Sequence, residues 1–209
     1  MLKFPVPEPP VSVLSRFPES SQSLISAYFN EYSFRMVVTN PRKLKLGSFR
    51  VMDGKREPVI RLNNDLGPYS FLLVFLHELA HLTTWQKYRK TVSPHGTEWR
   101  REFYRLTSPL LEENQLPESL SAELRSFFTR TPASFHRDTR LQRLLHQLDG
   151  KGELILLGDL AENSGFQLLN GKQLMKLNRI RTRFKCFCPS SCKYYLVSAA
   201  AQIFPVVRH

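Results

Sequence analysis

Residues 71–85 read FLLVFLHELAHLTTW, an apolar run interrupted by His77, Glu78 and His81. In an α-helix, positions four apart return to nearly the same face, about 40° round and roughly 6 Å along the axis. His77 and His81 therefore project together, while Glu78 lies about 100° from His77. Unpaired in an apolar core, these groups would carry a desolvation cost of several kcal/mol. A shared metal ion removes the conflict, because two imidazoles one turn apart can ligate one Zn2+. Glu78 is too displaced to be a natural third ligand, but it stands beside the metal, where it can take a proton from an attacking water. The pattern predicts a helix that is largely buried and meets a cleft at one turn.

A catalytic zinc needs a third protein ligand and one open position. The position six residues after His81 is Lys87, which cannot serve. His95, in SPHGTEW at a loop-to-helix junction, is the preferred ligand, with Gly96 permitting a tight turn there. Glu98 and Glu102 on the following helix are the alternatives. His136, His146 and His209 have no partner pattern and read as surface residues. An electrophilic helper for the developing oxyanion is also expected, with Tyr88, Arg101 and Tyr104 as unranked candidates.

Around this helix the chain reads as α+β. Residues 1–18 are proline-rich and predict an extended arm. Residues 19–135 form the expected catalytic domain. It holds an amphipathic helix with apolar positions at 24, 25, 28, 29 and 32, then three β-rich runs, FRMVVTN, KLGSFRVM and EPVIRLN. These runs predict a small antiparallel sheet, with EPVIRLN as the edge to which a substrate strand would add. Pro68 suits the first turn of the long helix. Trp99, Phe103 and Leu106 mark one side of the next helix, and PESLSAELRSFF predicts another. A linker helix over 136–150 follows, with Leu141, Leu144, Leu145 and Leu148 on one face. Residues 151–209 read as short strands from ELILL onward, with turns at NG and PSS, and predict a small C-terminal β-barrel.

The net charge is +12, of which +7 falls in the last 74 residues. Such an excess favours polyanions, most often nucleic acid. In NRIRTRFKCF, Arg179, Arg181, Arg183 and Lys185 alternate with Ile180, Thr182, Phe184 and Cys186. One continuous strand would place all four cations on one face, spaced about 6.6 Å apart. Lys172, Lys176 and Lys193 would lie on neighbouring strands, with Tyr194 and Tyr195 as stacking rings. The three cysteines, Cys186, Cys188 and Cys192, allow no disulfide framework and point to a reducing cytoplasm. A second, structural zinc would need a fourth ligand from elsewhere. The longest apolar run, FLLVFL, falls far short of the roughly 18 residues that suggest a membrane span. The N-terminus has no apolar segment of the kind that opens a signal peptide.

FLLVFLHELAHLTTW followed by SPHGTEWRREF resembles the SprT-like zinc metalloprotease family, and the likeness extends upstream to KLGSFRVM and VIRLNNDL, roughly residues 20–112. The HG-x-x-W segment at this distance makes the likeness more specific than the His-Glu-x-x-His pattern alone. The resemblance implies a zincin-like fold. It also implies Zn2+ held by His77, His81 and His95, Glu78 as general base, and substrates among DNA-associated proteins. Many members carry a C-terminal ribbon with two cysteine pairs, which CFCPSSC does not reproduce. The competing expectation is a nucleic-acid-binding or regulatory module with a structural zinc or vestigial peptidase activity.

Overall fold

The computed structural model describes residues 11–42, 45–51, 57–130 and 138–206. Most of the expected arm, the DGKR turn, nearly all of the TPASFHRD linker, His136 and His209 lie outside the described residues.

Two hydrophobic cores organise the chain. The first is built on α3 (Pro68–Tyr88), with Pro68 in its first turn. Every residue from Phe71 to Leu76 is fully buried. A helix that is apolar on all sides has to be enclosed, and α3 lies against β2, β3, α4 and α6. α2 (Gln22–Glu31) adds Ile25, Tyr28 and Phe29, and α4 (Thr97–Glu112) adds Trp99, Phe103 and Leu106. α5 (Glu118–Thr129) contributes Leu120, Leu124 and Phe127. The described end of the expected arm, residues 11–18, is not extended throughout. Val11–Leu14 form a short helix, α1. Phe17 is buried, with its ring 5.0 Å from Phe71 and 5.3 Å from Phe75. Burying a phenyl ring is worth about 1.5–3 kcal/mol, enough to hold this segment on the core.

The first sheet comprises β1 (Arg35–Thr39), β2 (Gly47–Val51) and β3 (Pro58–Asn63), in the order β1-β3-β2. It is mixed rather than antiparallel, because β1 runs parallel to β3 while β2 runs antiparallel to it. The expectation that β3 is the edge strand is therefore wrong. Val59, Ile60 and Leu62 are all buried, and a strand that buries both of its faces belongs in the centre. The edge beside α3 is β2.

α6 (Thr139–Leu148) belongs to the first core through Leu141 and Leu145. Its C-cap residue, Asp149, accepts hydrogen bonds from the backbone N–H groups of Tyr69 (2.8 Å) and Ser70 (3.1 Å), so it caps the N-terminus of α3 from 80 residues away. Gly67 is needed for this approach, since a Cβ there would lie 2.4 Å from the Asp149 side chain.

The second core lies under five antiparallel strands: β4 (Gly165–Leu168), β5 (Gln173–Ile180), β6 (Arg183–Cys188), β7 (Lys193–Ser198) and β8 (Ile203–Pro205). Their order, β7-β6-β5-β4-β8, leaves the sheet open, so the expected barrel is not closed. ELILL is not a strand. Leu156 makes one isolated bridge to Gln202, and Leu157–Asp159 form a 3-10 turn. Among the described residues no helix is long and apolar enough to cross a membrane.

Candidate metal centre

α3 carries His77 and His81 one turn apart, as the helical period requires, with His77 buried and His81 at the cleft. His95 comes from the loop before α4. The left-handed residue of that loop is His95 itself (φ +60°), whereas Gly96 has φ −71° and forms the N-cap of α4. The tight turn expected at Gly96 is thus made one residue earlier. A Cβ at Gly96 would still stand 3.0 Å from the Ser93 carbonyl, a tight approach for any larger residue.

The three Nε2 atoms form a near-equilateral triangle, 3.2 Å from His77 to His81, 3.0 Å from His81 to His95 and 3.1 Å from His95 to His77. A tetrahedral Zn2+ with Zn–N bonds of about 2.0–2.1 Å separates its nitrogens by roughly 3.3–3.4 Å. The observed triangle matches within a few tenths of an ångström. Among the described residues this is the group of three that can hold a metal ion. Trp99 forms the floor of the cluster, its ring 4.6, 5.4 and 4.7 Å from those of His77, His81 and His95.

Neither alternative ligand joins the three histidines. Glu102 is buried, with its oxygens taken by Lys87 Nζ at 2.5 Å and Arg105 at 3.1 Å. Burial alone would raise its carboxyl, but those two cations outweigh it and the net shift is downward. Glu98 is absent from the group as well.

Glu78 is 5% exposed, and burial raises its carboxyl from the usual 4.5 to about 7. A hydrogen bond from the backbone N–H of Phe49 and the charges of Arg42 and Lys45 oppose the rise. The contact with β2 is close. A Cβ on Gly47 would stand 2.7 Å from Glu78 Oε1 and 2.6 Å from Val74 Cγ1. Glycine at 47 is therefore what lets the edge strand lie directly over the carboxylate.

His77, Glu78, His81 and His95 open into a cleft of about 760 Å³. Its other walls are β2 with Lys45, Gln142 on α6, and Ala200 in the β7–β8 loop. Tyr88, Arg101 and Tyr104 do not line it, and Arg101 and Tyr104 face a separate pocket with Phe128. Gln142 and Ala200 come from parts of the chain that carry no site motif, so nothing local marked them.

The basic alternation resolves differently from expectation. NRIRTRFKCF is not one strand but the β5–β6 hairpin, with Arg181 left-handed (φ +55°) at its tip. Arg179 pairs with Phe184 and Ile180 with Arg183, so the four cations do not share one strand face. Arg179, Arg181 and Arg183 are exposed, and Lys185 lies over the Tyr194 ring at 4.2 Å. Lys176 is buried, with its ammonium 3.8 Å from the Phe184 ring centroid and bonded to the Leu160 carbonyl. It is not part of any surface patch. Cys186 and Cys188 face the second core, and Cys192 is exposed in the following turn. His146 bonds the Gly152 carbonyl at 3.0 Å.

Residues 21–121 match the model of the SprT-like family, a span that runs from α2 into α5 and contains His77, Glu78, His81 and His95. No curated protein matches the chain.

Proposed function

From the match of residues 21–121 to the model of the SprT-like family, we propose that the protein is a zinc-dependent peptidase. The observation that carries this reading is the placement of Glu78, buried against the edge of β2 and adjacent in sequence to a ligand in a triangle of converging imidazoles. His77, His81 and His95 would hold the ion. Zn2+ bound there supplies Lewis acidity to water and to the scissile carbonyl. Glu78 takes the proton of the attacking water and hands it to the leaving amine. A carboxyl shifted toward neutrality suits both transfers. The free edge of β2 offers backbone groups to an extended peptide, a mode that reads little side-chain identity. Only three side chains converge among the described residues. That leaves a position open for substrate, which favours catalysis over a closed structural site.

The finer reading, that the proteins cleaved are associated with DNA, rests on the family likeness and on the positive excess of the C-terminal part. The test of the peptidase reading is casein cleavage by protein stripped with a chelator and then reloaded with zinc. Activity is expected to disappear and return. The His95→Ala protein is expected to lose bound zinc and to stay inactive under the same reloading. Full cleavage by the stripped protein, or by His95→Ala, would contradict it.

A further inference from the structure

Beyond Ala200 the metal cleft meets a second cavity of about 600 Å³. Its walls include Thr139 and Arg143 of α6, Asp159 of the 3-10 turn, and Arg179 and Arg183 of the β5–β6 hairpin. Ala200 lines both cavities, and Gln142, which faces the metal cleft, is the direct neighbour of Arg143 on α6. A chain extending from the metal past Ala200 would enter this cavity.

The charge there is unbalanced. Arg143 is neutralised by both oxygens of Asp159, at 2.5 and 2.6 Å. Arg179 donates its Nε to the Arg181 carbonyl at 2.8 Å, an uncharged acceptor. The Arg183 side chain has no hydrogen-bond or ion-pair partner among the described residues. No acidic residue occurs after Glu162, so the C-terminal sheet has no carboxylate of its own to offer them. Two arginines thus line a concave site beside the cleft with no carboxylate partner among the described residues, and guanidinium forks favour carboxylate partners.

We propose that this cavity is a substrate subsite that selects acidic side chains in the polypeptide being cleaved, on the side of the scissile bond that runs over Ala200. The proposal rests on the peptidase reading, because continuity with the metal cleft makes the occupant part of the same polypeptide.

The test uses the full zinc-loaded chain and three fluorogenic peptides that differ only in a Glu-Glu-Glu, Gln-Gln-Gln or Lys-Lys-Lys segment, placed in turn on each side of the cleaved bond. For the wild type, kcat/KM is expected to favour the glutamate peptide over the glutamine one by about tenfold, the size of one charge-assisted contact. It is expected to favour it over the lysine peptide by more. The Arg179→Glu/Arg183→Glu protein should reverse that order, while Lys172→Glu/Lys193→Glu, the same charge change outside the cavity, should keep it. Zinc content and melting temperature show whether the double variant is folded. The same order of peptides in both proteins would overturn the proposal. If the wild type cuts none of the peptides, it is the peptidase reading that has failed. The subsite is then decided by anisotropy of a labelled glutamate peptide. Binding lost in the double variant supports it, and equal or absent binding overturns it. Binding of a single-stranded oligonucleotide that depends on Arg179 and Arg183, with no binding of the glutamate peptide, would make the cavity a nucleic-acid site and overturn it as well.

Discussion

Glu78 and Gly47 form a coupled pair of residues from different elements. The Glu78 carboxyl is held by burial and by a strand edge that only glycine brings this close. Gly47→Ala places a methyl group within 2.7 Å of Glu78 Oε1. Either the carboxylate or the strand must move. A misplacement of about 1 Å at a reacting group costs on the order of 10²-fold, so kcat/KM should fall by about that factor while bound zinc is retained. Unchanged kcat/KM would show that Glu78 has slack. The same burial gives a signature in the metal-free protein. The Glu78 carboxyl titrates near 7 when folded and near 4.5 when not. Between these values the folded state holds more protons than the unfolded one, so this group's contribution to stability falls as pH rises. Glu78→Gln removes that slope. Urea midpoints at pH 5 and 7.5 should therefore drop further for the wild type than for the variant, and parallel drops would contradict the burial effect. His77, Glu78 and His81 were legible in the sequence because their relation depends only on the helical period. Gly47 was not, because its role is a contact across 31 positions.

At the scale of elements, α3 is set by its surroundings. Its N-terminus is capped by Asp149 from the end of α6, in place of a side-chain cap from its own N-cap residue. Asp149→Ala should cost about 1 kcal/mol, or a drop in Tm of roughly 2–4 °C for a chain of this size. Asp149→Asn should recover part of it. A melting curve unchanged by Asp149→Ala would show that water replaces the cap. Strand content in the first sheet was legible from β-branched residues, but strand order was not. Alternation and turns mark neighbours in sequence, whereas the central place of β3 follows from burial on both faces. The β5–β6 hairpin was hidden for a related reason. Its tip is Arg181-Thr182, without the glycine or asparagine that usually marks a left-handed turn, so the basic alternation ran through it unbroken.

At the scale of the whole molecule, the cleft is assembled from widely separated parts of the chain: β2, α3 with the His95 loop, α6, and the β7–β8 loop of the second core. The histidine triangle is complete within the span that matches the family, while Gln142 and Ala200 line the cleft from beyond residue 121. Sequence reasoning found the three converging histidines and Glu78 because they sit in two local motifs. It missed the opposite walls because only the tertiary fold brings them near. The measurement that bears most directly on the account is zinc content and casein cleavage of Glu78→Gln beside the wild type. The side chain is nearly isosteric, and the group that can hold a metal ion comprises three histidines and not Glu78. The account predicts one zinc per chain in both proteins, with cleavage lost in the variant. Cleavage by a zinc-loaded Glu78→Gln protein at the wild-type rate would contradict it.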